Sequence, residues 1–217
     1  MLSIAYCPLN GSCKVGKIAF NGISDHLKSV HASSVKHVPK AIESNETLNL
    51  IYAKHQKESQ NHFWCNMIKM NTSHQQQVGD VAVLPAKDVQ SRPCQVRFYS
   101  VSMLDEKGNF NSWVYIHGSP HDAKRFAYTF SLIGRQSNYS YYGFVKSLNE
   151  ESRLITSEGH LLFIQKNAFN TSCRTGKKED EWECDVEIHD LQEKAKEKND
   201  GVKSDVKGLK RLDFFRF

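Results

Sequence analysis

Residues 94–133 read CQVRFYSVSMLDEKGNFNSWVYIHGSPHDAKRFAYTFSLI. In 94–104, 112–117 and 126–133, β-branched and aromatic residues recur at close to every second position, which in an extended chain sends alternate side chains to opposite faces. Glu106-Lys107-Gly108-Asn109 supplies turn chemistry between the first two runs. Before the third, Ser119-Pro120-His121-Asp122 sets a capping serine, a proline at the first helical position and an acid three residues after the cap. That order predicts one short helix, ending near Arg125.

The same texture extends outward. Strands are predicted at 48–53, 63–70, 78–84, 139–145, 161–165 and 182–189, with Gly134-Arg135-Gln136 as a further turn. Many short strands and little helix predict a mainly β chain, with an antiparallel β-sandwich over residues 48–190. Tyr139, Tyr141 and Tyr142 fall in one such strand and read as core and cross-strand packing rather than as base-stacking platforms. The isolated His117, His121 and His160 read as surface or hydrogen-bonded residues.

Residues 1–34 are different in kind. They hold Cys7, Cys13, His26 and His31, and no apolar run long enough to make a core. A tetrahedral metal needs four soft or borderline ligands, supplied as two close pairs with enough chain between them to fold back. Cys7-x5-Cys13 and His26-x4-His31 meet that demand, so a zinc finger is expected here, with Zn as cofactor. Ser24 or Asp25 is placed to cap the histidine-bearing helix, and Phe20, Ile23 and Leu27 are the apolar residues available to pack beneath the metal. The wide first pair and the positions of Phe20 and Leu27 disfavour a finger that reads DNA. Loss of the metal is expected to loosen residues 1–34 alone. Residues 35–47 read as linker or edge strand, because Val35, Val38 and Ile42 nearly alternate. Residues 191–217 read as a charged, flexible tail.

Composition bounds the function. The chain has 217 residues, enough for one sizeable domain and a small module. Its 29 basic and 24 acidic residues leave a net charge of +5, too diffuse to argue for nucleic acid. With no membrane-length apolar run and no leader-like start, the expectation is a soluble, unsecreted protein of the cytoplasm or nucleus. The N-x-Ser/Thr triplets at Asn10, Asn45, Asn71, Asn138 and Asn170 then read as chance. Cys65, Cys94, Cys173 and Cys184 read as buried thiols. No phosphate-cradling glycine loop, Gly-x-Ser-x-Gly or His-Glu-x-x-His occurs.

The block Cys7-Pro-Leu-Asn-Gly-Ser-Cys13-Lys, followed by His26-Leu-Lys-Ser-Val-His31, resembles the second zinc site of the seven in absentia proteins, which are RING-type ubiquitin ligases. Gly118-Ser-Pro-His-Asp-Ala-Lys-Arg-Phe126-Ala-Tyr128 is similar to the helix and following strand of that family's TRAF-like substrate-binding domain. The resemblance implies a TRAF-like sandwich, partner proteins captured for ubiquitin-dependent degradation, and a homodimer paired through its sheet. Trp182-Glu-Cys-Asp-Val-Glu-Ile188 is the expected pairing edge. It also implies a groove that takes extended Val-x-Pro peptides by strand addition. Leu50, His62, Trp64 and Asn66 match groove positions, Trp64 identically, Leu50 conservatively, and His62 and Asn66 where the family has apolar residues. The family's RING, which recruits the ubiquitin-conjugating enzyme, has no counterpart in residues 1–217, so recognition rather than transfer is expected of them. The rival readings are a ligase subunit using a RING outside this chain, and a nucleic-acid-binding zinc protein.

Overall fold

A computed structural model describes residues 4–9, 13–53, 62–72, 94–133, 138–150, 155, 158–172 and 181–192. The strand expected at 78–84, the turn at 134–136, Cys173 and the tail beyond residue 192 lie outside these. In chain order the elements are β1 (Ile4–Tyr6), β2 (Lys17–Ala19), α1 (Ile23–Val30), β3 (Val35–His37), β4 (Thr47–Ala53), β5 (His62–Thr72) and β6 (Cys94–Leu104). They continue with β7 (Phe110–Ile116), α2 (Pro120–Ala123), β8 (Phe126–Ile133), β9 (Asn138–Phe144), β10 (Lys146–Ser147), β11 (Leu162–Ile164), α3 (Lys166–Ser172) and β12 (Glu181–Asp190). The chain is mainly β, as expected. No helix among the described residues is long and apolar enough to cross a membrane.

Among the described residues the strands form three sheets. β1 and β2 make a small antiparallel pair, β4-β12-β8-β9 a four-stranded sheet, and β3-β5-β6-β7 a larger one whose far edge carries both β10 and β11 on β7. The larger sheet is mixed rather than antiparallel, because β3 runs parallel to β5 and β10 parallel to β7. Within 35–47, β3 is an edge strand of this sheet at Val35–His37, followed by a bridge from Ile42 to Met70. At the β6–β7 turn, Gly108 takes φ +80°, and the Asp105 carboxylate accepts the Lys107 and Asn109 amides at 3.0 and 2.8 Å. α2 has the expected capping box: Ser119 Oγ accepts the Asp122 amide, and the Asp122 carboxylate accepts the Ser119 amide.

Aromatic pairs join the two large sheets across the core. Trp64 of β5 meets Trp182 of β12 edge-on at 4.9 Å, Phe98 meets Phe126 at 5.1 Å, and Phe110 faces Phe130 at 6.3 Å. Each such ring buried contributes roughly 1.5–3 kcal/mol. α3 adds Phe169, stacked on Phe110 at 4.8 Å. Sequence reading missed this helix because only Ala168 and Phe169 in Lys166–Ser172 carry an apolar signal, too little to show helical periodicity.

All seven residues of β7 are buried, which one covered face cannot achieve in a pleated strand. The second face, carrying Tyr99, Val101, Trp113, Tyr115 and His117, bears the N-terminal unit. Ser24 Oγ lies 3.3 Å from the Tyr99 hydroxyl, Phe20 packs edge-on against His117 at 4.3 Å, and the Tyr6 amide donates to the Leu148 carbonyl at 2.7 Å. His117 also bonds the Tyr99 hydroxyl through Nδ1 at 3.0 Å, while His121 and His160 are exposed.

β12 corrects the expected dimer edge. It is an interior strand, paired with β4 over residues 181–187 and with β8 over 184–190, so the middle of Trp182–Ile188 already has a partner on each side. Its end is locked by Arg125, whose Nε donates to both Asp190 carboxylate oxygens at 3.0 Å, with a further bond from the guanidinium Nη2. Asp190 is fully buried, and this ion pair supplies its charged partner. We expect Arg125→Met to destabilise the fold by about 3–5 kcal/mol in urea unfolding. Lys40→Met, breaking an exposed ion pair with Glu46, should leave the same midpoint unmoved.

Candidate metal centre

α1 emerges from a 3-10 turn at Phe20–Gly22 and presents two faces. Ile23 and Leu27, four residues apart, point inward and are fully buried, joined by Ala5 and Leu9 from the β1 side. The helix cap is Gly22, without a side-chain hydrogen bond, so neither Ser24 nor Asp25 caps it. Ser24 sits inside the first turn because its hydroxyl is engaged by Tyr99 and Arg97 on the sheet. His26 stands on the helix, and His31 leaves it at φ −121° with its amide still bonded to the Leu27 carbonyl.

This brings the four expected ligands together. One ligand atom from each of Cys7, Cys13, His26 and His31 lies within 4.8 Å of all the others, a group able to hold a metal ion. Cys7 Sγ is 3.5 Å from His31 Nε2, and Cys13 Sγ is 3.4 Å from His26 Nε2. A tetrahedral ion with metal–sulfur bonds of about 2.3 Å and metal–nitrogen bonds of about 2.0 Å sets thiolate and imidazole about 3.5 Å apart. The two observed separations match two edges of such a tetrahedron, and the donor set fits a metal.

The electrostatics favour the same occupant. Burial, with a smaller contribution from Cys13, pushes the Cys7 thiol up to about 12, against a backbone hydrogen bond at Leu9 that lowers it. Two thiolates in this setting need a cation to offset their charge. The Val15 amide donates to Cys13 Sγ at 3.4 Å. Burial lowers the pKa of both His26 and His31, for His31 with help from its neighbour His26, which keeps the rings neutral and their lone pairs available. Val15 and Leu9 were not legible as part of the site, because backbone donors leave no residue-type signature.

The expected groove residues are distributed differently. Leu50, Trp64 and Asn66 are all buried between the sheets, Trp64 at 4% exposure. Trp64 is held by Tyr52 as well as Trp182, and Asn66 Nδ2 donates to the Tyr52 hydroxyl at 3.1 Å. His62 opens β5 and pairs with Leu104 of β6, and its side chain lies outside the described residues. Trp64 and Asn66 share a small pocket of about 40 Å³ with Tyr52 and Cys65; Leu50 does not line it. Its other wall is Ser33, Ser34 and Lys36, which sequence reading did not single out. Lys36 Nζ donates to the Ile51 carbonyl at 3.0 Å, spanning the mouth between the two sheets. The β5 edge beyond the pocket is already paired by the chain itself, through Cys65 N to Ser34 O, Val38 N to Met67 O and Ile42 N to Lys69 O. Cys65 and Cys184 are buried thiols, with Cys65 shifted well up by burial.

No protein-family model and no curated protein matches the chain.

Cobalt(II) added to metal-stripped protein should give the visible bands of a tetrahedral sulfur–nitrogen site. Cys13→Ala should abolish them and Cys65→Ala should not. The pH dependence has a definite sign. Below about 12 the free Cys7 is protonated, so metal binding displaces a proton and apparent affinity rises with pH. The slope should be about tenfold per pH unit for each proton displaced, and a pH-independent affinity would refute thiolate ligation by Cys7.

Proposed function

We propose that the chain binds one zinc ion through Cys7, Cys13, His26 and His31 and acts as a protein-interaction module. In this reading it is similar to the substrate-recognition half of a seven in absentia ubiquitin ligase and presents partner proteins for ubiquitin-dependent degradation. The supporting observation is the tetrad itself, with thiol–imidazole separations of 3.4 and 3.5 Å, standing on the face of a two-sheet β structure. Zinc is the assigned ion because two thiolates and two imidazoles in a tetrahedron select it over harder or redox-active cations. The β sheets are read as TRAF-like on the resemblance around Gly118–Tyr128, where a capped helical turn leads into β8.

Partner capture is assigned to the mouth beside Trp64. Because β3 already occupies the edge of β5, an added peptide strand pairs at the opening between β3 and β4, where Lys36 must release the Ile51 carbonyl. Asn66 makes the pocket polar. Burying a valine and proline against it leaves hydrogen-bonding groups unsatisfied, at roughly 1–3 kcal/mol. The preferred peptide therefore differs from Val-x-Pro. Ubiquitin transfer is not assigned to these residues.

Metal analysis of protein purified without chelator should find about one zinc per chain. Titration calorimetry with a Val-x-Pro peptide should show wild type binding at least about tenfold more weakly than the variant His62→Val with Asn66→Met. Zinc present with no gain from the double variant would retain the metal assignment and overturn the groove.

A further inference from the structure

The four strands of the β4-β12-β8-β9 sheet contain no lysine and no arginine. The inner face of this sheet closes the aromatic core. Its outer face carries three carboxylates in line, Glu183, Asp185 and Glu187, at alternate positions of β12. Among the described residues, the side-chain hydrogen bonds they accept come from neutral groups, Thr47 Oγ1 to Glu187 at 2.7 Å and Asn49 Nδ2 to Asp185 at 3.0 Å. Large apolar side chains stand around them. Tyr142, Phe144, Ile51 and Ile133 are 56%, 60%, 49% and 42% exposed. Tyr142 shares a cross-strand row with Glu187 through Thr129, and Ile51 pairs with Glu183. A face that is at once acidic and apolar suits a segment that is at once basic and apolar.

We infer that residues 207–217 of the same chain dock on this outer face, their basic side chains on the carboxylate row and their apolar ones on the exposed rings and isoleucines. The segment, which lies outside the described residues, reads Lys-Gly-Leu-Lys-Arg-Leu-Asp-Phe-Phe-Arg-Phe, with four basic residues, one acidic and five large apolar ones. Residues 191–206, which join it to β12, carry four basic and four acidic residues, so the positive excess belongs to the segment itself. Covalent geometry places it within reach. Asp190 pairs with Phe126, next to the pair of Ala127 and Phe144, so the chain leaves β12 at the end of the sheet where Phe144 stands. From there to Glu183 is roughly 23 Å along the strand, and the sheet is roughly 14 Å across. The joining residues can span about 50 Å at full extension. A second copy fits this face less well, because two such sheets laid face to face would set carboxylate row against carboxylate row, and like charges opposed across an interface weaken it.

This inference does not rest on the peptide-binding reading, which concerns the opening between β3 and β4. Its test is hydroxyl-radical footprinting of the metal-loaded full chain, read by mass spectrometry at Tyr142 and Phe144. A tethered segment that fills the face more than half of the time should cut the oxidation of both rings by about twofold or more relative to the variant Lys210→Glu with Arg211→Glu. Both changes lie outside the sheet, so circular dichroism should be the same for the two proteins. Phe163, 52% exposed on β11 of the other large sheet, should be oxidised equally in both. Raising the salt to about 1 M shortens the screening length from about 8 to about 3 Å and should uncover Tyr142 and Phe144 in wild type. A carbodiimide, which joins amines to carboxylates in contact, should couple Lys207 or Lys210 to the β12 row within one chain rather than between differently labelled chains. Equal oxidation of the two rings in wild type and variant, or protection that persists at high salt, would overturn the proposal. Coupling found only between chains would also overturn it, by assigning the segment to another copy.

Discussion

The six-stranded sheet is covered on both faces at β7, where every residue is buried, and most of the architecture follows from that. One face is closed by the four-stranded sheet through Trp64, Phe98 and Phe110. The other carries Tyr99, Trp113 and Tyr115, all essentially inaccessible, and bears the N-terminal unit. That unit has little of its own to hold it together. Ala5, Leu9, Ile23 and Leu27 are its fully buried apolar side chains, too few for an independent core. A metal at the tetrad would supply what they lack, fixing β1, the Cys13 loop and both ends of α1 at one point.

The groups around the tetrad are poised in a complementary way. Burial favours neutral imidazoles at His26 and His31, which suits ligation, but also favours a neutral thiol at Cys7, which opposes it. A cation would resolve the opposition, because its attraction for a thiolate exceeds the desolvation that raises the thiol. The two ends of the unit then have separate duties. The tetrad ties the chain to itself, while Ser24, Phe20 and Tyr6 tie it to the sheet. With α1 seated on the sheet in this way, Ser24 is occupied by Tyr99 rather than free to cap the helix or to read a groove.

What was legible in the sequence is what depends on neighbours close along the chain. Alternation located β6 and β8 to the residue, capping chemistry located α2, and ligand types at short spacing located all four members of the tetrad. What was not legible depends on distant partners. Nothing in Trp182–Ile188 distinguishes an edge strand from an interior one, since its alternating acids suit either. Residues 1–34 look self-contained because the face that receives them is built from β6 and β7, far along the chain. Trp64 reads equally as groove or core until Tyr52 and Trp182 are placed around it. Tyr139, Tyr141 and Tyr142 were read alike, yet Tyr142 is exposed while the other two are half-buried, a split decided by which face β8 leaves open.

The central claim is that a metal held by Cys7, Cys13, His26 and His31 keeps the N-terminal unit seated on the six-stranded sheet. Hydrogen exchange followed by mass spectrometry, before and after chelation, tests it directly. Chelation should raise exchange not only in α1 but also in β6 and β7, whose outer face loses its cover, while β4 and β12 stay protected. Unchanged exchange throughout, or loosening confined to residues 1–34, would contradict it.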